Sequence, residues 1–139
     1  MAFHHCIFCR IVARDAPAYI LAEDGDCLAF MDINPVAPGH ALIVAKQHAE
    51  NIFDIQAPVL QRLMGTVQRV AQAVNAVFLP DGINIVQSNG PGAAQSVPHF
   101  HIHVVPRWQN DDLLMNWSLR PGERSAIEAN AARLRAILG

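Results

Sequence analysis

The sequence predicts an α+β fold, a five-stranded, mostly antiparallel sheet with one long helix and a C-terminal helix. Three observations carry that prediction. Short apolar stretches are separated by turns rich in Asp, Gly and Pro, as strands of a small sheet are. Across residues 58–79 apolar residues recur at helical spacing. From His99 to Arg107, histidines alternate with apolar residues at the period of two that belongs to a strand.

In chain order, Cys6-Ile7-Phe8-Cys9 runs into Ile11-Val12-Ala13 as one short helical turn, and Ala16-Pro17-Ala18 breaks it. Residues 19–22 and 27–31 are two strands around Glu23-Asp24-Gly25-Asp26, whose acidic and glycine residues suit a tight hairpin turn. The rigid loop Asn34-Pro35-Val36-Ala37-Pro38-Gly39 precedes a strand at 41–45. The long helix sets Val59, Leu60, Leu63, Met64, Val67, Val70, Ala71, Val74, Val77 and Phe78 on its apolar face. Pro58 suits its first turn, and Pro80 with Gly82 ends it. Residues 83–87 form the fourth strand and the histidine stretch the fifth. A second helix covers 123–138, with Ile127, Leu134 and Ile137 inward and the arginines outward. Short turns between strands place the helices on one face of the sheet. No linker or repeat divides residues 1–139, which read as one domain with a core at about 6–107 and a tail at 108–139.

Composition narrows the function. Hydrophobic residues at 52% and charged residues at 16% describe a compact globular chain. The net charge is −2 and Lys46 is the only lysine, so the many phosphate contacts of a polynucleotide binder are missing. A single nucleotide needs only a few donors. No apolar run approaches the ~20 residues of a membrane span, and Met1-Ala2-Phe3-His4-His5-Cys6 lacks the pattern of a signal peptide. His4-His5 is given no role. Three cysteines make no disulfide framework, and a reducing, cytoplasmic location is expected.

Several residues carry recognisable chemistry. On a strand, His99, His101 and His103 share one face at spacings of about 6.5 Å, while Phe100, Ile102 and Val104 point into a core. The imidazoles could converge on one anion or one metal, or could stand as surface histidines on an edge strand. A neutral imidazole attacks phosphorus when one nitrogen is held protonated and the other presents its lone pair. The preceding loop, residues 87–96, offers Asn89, Gln95 and Ser96 as neutral hydrogen-bonders, with Gly90 and Gly92 allowing close backbone approach; an ordinary glycine-rich turn has the same composition. Asp32 follows a strand, where its carboxylate could accept both hydroxyls of a ribose, and it also suits the start of an Asp-x-Asn-Pro turn. Ile33, with Phe8, Leu28 and Phe30, could form an apolar slot for a base. Cys6-x-x-Cys9 has metal-ligand spacing that redox pairs share, and Cys27 reads as a buried apolar side chain.

The run Gly92-Ala93-Ala94-Gln95-Ser96-Val97-Pro98-His99-Phe100-His101-Ile102-His103 resembles the signature of the histidine triad (HIT) superfamily of nucleotide hydrolases and transferases. Phe30-Met31-Asp32-Ile33-Asn34-Pro35, Pro38-Gly39-His40 and Cys6-Ile7-Phe8-Cys9 extend the resemblance from about Cys6 to Arg107. It implies a homodimer and a covalent nucleotidyl intermediate on His101. His103 would contact the phosphate oxygens, and His40 would support the row. Ser96 and Gln95 would lie beside the scissile bond, with Ser96 able to donate a proton to the leaving group, and Asn89 would bind phosphate or the leaving side. Asp32 would take the ribose, and Ile33 and Phe8 the base. Cys6, Cys9, His48 and His99 match the structural zinc ligands of bacterial-type members; no catalytic cofactor is expected.

The function so implied is hydrolysis at the α-phosphate of purine nucleoside phosphoramidates or related nucleotidyl conjugates, with release of the nucleoside monophosphate. Dinucleoside polyphosphates or nucleotidyl transfer are the alternatives within the family. A metallohydrolase built on His99, His101 and His103, completed by Asp32 or His40, is one rival; a non-enzymatic nucleotide-binding protein is another. Two departures stand out. Pro98 replaces a larger or aromatic residue and has no N–H for a ladder, as the first residue of a strand allows. After Arg107 no motif continues, and Trp108 and Trp117 read as core or interface residues.

Overall fold

In the computed structural model the described residues are 5–114 and 118–139, so the expectations for His4 and Trp117 lie outside the described residues. The elements are α1 (Ile7–Val12), β1 (Ile20–Glu23), β2 (Cys27–Met31), β3 (Ala41–Ala45), α2 (Ala57–Phe78), β4 (Gly82–Val86), β5 (His101–Arg107) and α3 (Arg124–Leu138). The strands form one sheet in the order β1-β2-β3-β5-β4, every neighbouring pair antiparallel. The histidine strand is therefore an inner strand, not an edge. It starts at His101: His99 and Phe100 lie just before it.

Local chemistry explains the hairpin and the long helix. Asp24 accepts the backbone N–H groups of Asp26 (2.8 Å) and Cys27 (2.9 Å), an Asx turn that closes β1 onto β2. Thr66 of α2 donates to the same carboxylate at 2.9 Å, and Arg62 grips Asp26 with two bonds of 2.6 and 3.0 Å, so the turn is fastened to α2. Pro58 occupies the first turn of α2, and Leu79 closes it in the left-handed conformation (φ 50°). Gly39 (φ +93°) lets β3 begin beneath the ring of Phe78, where an added Cβ would meet that ring at 2.7 Å.

The sheet has two occupied faces. Toward α2 point Cys27, Ala29, Ala41, Ile43, Phe100, Ile102 and Val104, packed against Leu63, Val67, Val70 and Val74. Toward α1 point Leu28, Phe30, Leu42 and Val44, packed against Phe8 and Ile11. The expectation of helices on one face is thus corrected, because α1, too short to register as a sheet-covering element, closes the second. The buried stripe of α2 is also narrower than its apolar pattern: Met64 and Val77 are exposed, since a helix touches a sheet along one arc only. Cys27 is fully buried, as expected, with its thiol 3.4 Å from Asp24.

The C-terminal helix is corrected too. Glu123 caps α3 by accepting the N–H groups of Ser125 and Ala126. However, no residue of α3 is buried, and Ile127, Leu134 and Ile137 are 58%, 61% and 86% exposed rather than inward. Its apolar residues are interleaved with charged ones beyond the last strand, and among the described residues no element covers them. Trp108, at the end of β5, is half-buried beside Arg107. No helix among the described residues is long and apolar enough to cross a membrane.

Candidate active site

β5 sends His101 and His103 to the face opposite Phe100, Ile102 and Val104, with ring centres 5.0 Å apart. The β3 register sets Leu42 beside His103 and Val44 beside His101. His40, two residues before Leu42, enters on the same side. Its backbone is held by a bond from its N–H to the Ala37 carbonyl and by the Asp32 N–H donating to its own carbonyl, both 3.1 Å.

The hydrogen bonds assign the proton on each ring. The Val36 N–H donates to His40 Nδ1 at 3.2 Å, so the His40 proton sits on Nε2. That Nε2 lies 2.9 Å from His103 Nδ1 and 3.4 Å from the Asp32 carboxylate. His103 Nδ1 therefore accepts, and its own proton is on Nε2. His101 Nδ1 lies 2.7 Å from the His99 carbonyl, which can only accept, so Nδ1 carries the proton and Nε2 the lone pair. Side by side stand a ring nitrogen that presents its lone pair and an N–H donor.

Burial keeps these rings neutral. It pushes His101 below the usual imidazole range, against the His99 carbonyl and the Asp32 charge, which act the other way. Burial, with His101 and His40 as neighbours, takes His103 down to about 4. Burial also lowers His40 and outweighs Asp32. The His40–Asp32 contact is thus a carboxylate beside a neutral ring, not an ion pair.

These groups line an open cleft of about 540 Å³. Of the residues singled out in the sequence, it gathers His40, His101, His103, Ser96, Asp32, Ile33 and Phe8. Asp32 closes the expected turn, its Oδ1 accepting the Asn34 N–H at 2.8 Å, and the same residue stands in the cleft wall. Asn89 and Gln95 are not brought to this cleft. Asn89 accepts from the Ile52 N–H (2.7 Å) and from Gln87 (2.8 Å). Gln95 accepts from the Gly90 N–H (2.8 Å) and donates to the Glu50 (2.6 Å) and Val97 (3.0 Å) carbonyls. Both brace the loop that carries Ser96. Leu28 packs behind the wall rather than in it.

Some contributors were missed. Ile7, Ile11 and Val97 also line the cleft; the three-residue spacing of Phe8 and Ile11 in a helical turn was the available signal. The N–H of Val36 and the carbonyl of His99 are backbone groups, which no side-chain pattern announces.

A second cluster adjoins the first. Cys6 caps α1 and Cys9 lies one turn on, with its N–H donating to Cys6 Sγ at 3.4 Å. Across from them His99 Nδ1 is 3.3 Å from Cys6 Sγ, 3.5 Å from Cys9 Sγ and 3.1 Å from His48 Nδ1, and Cys9 Sγ is 3.2 Å from His48 Nδ1. His99 Nε2 donates to the Ala45 carbonyl at 2.6 Å, which leaves Nδ1 bare toward the sulfurs. Four donors around a tetrahedral ion with bonds of about 2.0–2.3 Å stand roughly 3.3–3.8 Å apart. Burial and the adjacent Cys6 push the Cys9 thiol up to about 12, a shift that a bound cation reverses. Donor type, spacing and the His99 tautomer all fit a metal ion. Asp32, His40 and His103 also lie close enough to be considered, but the proton on His40 Nε2 occupies the position a metal would need. The rival set of His99, His101 and His103 is not assembled, because both ring nitrogens of His99 are engaged elsewhere.

Comparison with known proteins identifies relatives along most of the chain. The family model described as HIT domain matches residues 13–110. An adenosine 5'-monophosphoramidase of Schizosaccharomyces pombe is 35% identical over 125 residues, 89% of this chain and 91% of that one. The crystal structure of a HIT family protein from Bacillus anthracis superposes with a TM-score of 0.89 at 31% identity, covering 96% of each chain. A zinc-bound histidine triad family protein from Mycobacterium smegmatis superposes at 0.74 with 34% identity, covering 95% of this chain and 96% of that one. With a paired-histidine cleft in place and most of its length matched, the chain belongs to the HIT family.

Proposed function

We propose that this protein hydrolyses purine nucleoside phosphoramidates at the α-phosphate through a nucleotidyl-His101 intermediate, releasing the nucleoside monophosphate, as a cytoplasmic homodimer. The observation that carries the reading is the complementary protonation of His101 and His103. The lone pair of His101 Nε2 lies beside the Nε2–H of His103 in one cleft, so attack on phosphorus and stabilisation of its oxygens come from adjacent groups. The similarity to an adenosine 5'-monophosphoramidase supports the substrate class.

In the first step His101 Nε2 bonds to phosphorus while the phosphorus–nitrogen bond breaks. The Ser96 hydroxyl passes its proton to the departing nitrogen and regains one from solvent. The ring becomes cationic, and the Asp32 charge and the His99 carbonyl, which both favour the charged imidazole, offset part of the cost of its burial. Water then attacks phosphorus and releases one proton to solvent, replacing the one Ser96 drew, while the bond to Nε2 breaks and His101 returns neutral. Asp32 takes the ribose hydroxyls, and Phe8 and Ile33 enclose the base. Asn89 and Gln95 act by holding the loop that presents Ser96. Cys6, Cys9, His48 and His99 would hold a zinc ion, which supplies cross-linking of α1 to the start of β5 and no reacting group.

The test is intact mass after mixing with an adenosine phosphoramidate and quenching in base within milliseconds. A transient adduct of one AMP, absent in His101→Asn, is the expected result. The variant keeps a donor for the His99 carbonyl but has no nucleophilic nitrogen. AMP release by His101→Asn at the wild-type rate would remove His101 from the mechanism, and no AMP from the wild type would exclude this substrate class.

A further inference from the structure

We propose that the metal site sets nucleotide affinity, because α1 is at once the carrier of two metal ligands and a wall of the cleft; this rests on the nucleotide reading above. Phe8 sits between Cys6 and Cys9 in the chain and is only 6% exposed. Its ring meets three others edge-on: His99 at 5.8 Å, His101 at 5.1 Å and Phe30 at 5.6 Å. One of those partners is a candidate metal ligand, one the candidate nucleophile and one a wall of the cleft. Ile7 and Ile11 of the same helix line the cleft as well.

The helix has little else to hold it. Six residues are far below the ~12–15 at which a helix persists alone in water. Among the described residues, Arg10 reaches only the Asp15 carbonyl just past the helix, and the side-chain bonds that run farther go through Cys9 and the capping Cys6, to His99 and His48. Apolar burial of Phe8 and Ile11 adds contact but no direction. A metal on the four ligands would lock the helix in rotation and height, and with it the position of Phe8 against His101. Removing the metal frees that helix and opens the base end of the cleft, while the opposite face, packed by α2, is untouched. Phe8 is then a positioning residue for His101 as well as a wall for the base.

The experiment compares the full-length protein loaded with zinc and freed of it by chelation. It reads hydrogen exchange by mass spectrometry and AMP affinity by calorimetry. Faster exchange across residues 7–12, unchanged protection of α2, and AMP binding weakened by about tenfold or more, as loss of a buried aromatic contact implies, are the expected results. Unchanged exchange in α1, unchanged AMP affinity, or loss of protection in α2 as well would each overturn the proposal. In the last case the metal would hold the whole fold rather than one wall. A second variant, Phe8→Ala loaded with zinc, is expected to keep its metal and lose AMP affinity; wild-type affinity there would also overturn it. Failure of the loaded wild type to bind AMP at all would overturn the nucleotide reading, and this proposal with it, whereas affinity that is equal with and without zinc would leave that reading standing.

Discussion

The two faces of the sheet are built by opposite strategies. Against α2 the contacts are almost wholly apolar, with a 22-residue helix laid over Phe100, Ile102 and Val104. Against α1 a six-residue helix covers a face that includes four ring nitrogens with assigned protons and a cluster of sulfurs. Hydrophobic packing is non-directional and stabilises without fixing a proton. Hydrogen bonds fix protons but add little net stability. The chain separates these tasks by residue parity along one strand, so neighbours in sequence answer to different demands.

Two adjacent residues should separate the two faces by the largest margin. His101→Asn is expected to lower turnover by about 10⁴-fold or more, while shifting the denaturation midpoint little, since its amide can still donate to the His99 carbonyl. Phe100→Ala removes a fully buried ring on the other face. It should cost about 3–5 kcal/mol of stability in urea or guanidinium unfolding, with kcat nearly unchanged in the fraction that remains folded. If His101→Asn unfolded the chain, or Phe100→Ala abolished turnover in folded protein, the two faces would not be separable.

The division also explains what could be read before any coordinates. The α2 face was legible because apolar residues at periods of 2 and 3.6 point where burial needs them. All five strands and the long helix stand within one or two residues of their expected positions. The histidine pair and the four cluster residues were legible because they are brought together by their side chains, whose types and spacing the sequence displays. His40 was legible as a neighbour of the row, but its proton was not, because the Val36 amide that assigns it leaves no trace in side-chain pattern. Gln95 and Asn89 look like ligand-binding residues in sequence; only the loop's need to satisfy its own backbone shows them bracing it. The exposed face of α3 was misread because amphipathic spacing announces a buried stripe without saying which surface supplies the cover.

Ser96 divides the tasks further on the cleft side. It belongs to the loop, not the sheet, and its only assigned task is a proton to the leaving group. Ser96→Ala should slow release of a poorly leaving alkylamine by about 100-fold and release of a good leaving group far less, with stability unaffected. Equal slowing across a leaving-group series would instead make Ser96 a phosphate contact.

The smallest expected effect is a pH dependence that belongs to one face only. In the folded chain His103 stays neutral down to about pH 4, held there by burial and by His101 and His40, whereas the ordinary imidazole value is 6.5. Between those limits the unfolded chain binds more protons than the folded one, so this group's contribution to stability is complete above pH 6.5 and is lost as the pH falls toward 4. Asp32 faces the same group and opposes the shift. Thermal unfolding followed from pH 7 to 4.5 should therefore show a falling midpoint in the wild type and a shallower fall in His103→Gln, whose amide oxygen can still accept from His40 Nε2. Thr66→Val, which removes a bond between α2 and the hairpin turn, should lower the midpoint by the same amount at every pH above the carboxylate range. Parallel curves for wild type and His103→Gln would mean that the buried histidines are not held neutral, and the lone pair and donor assigned to the cleft would lose their physical basis.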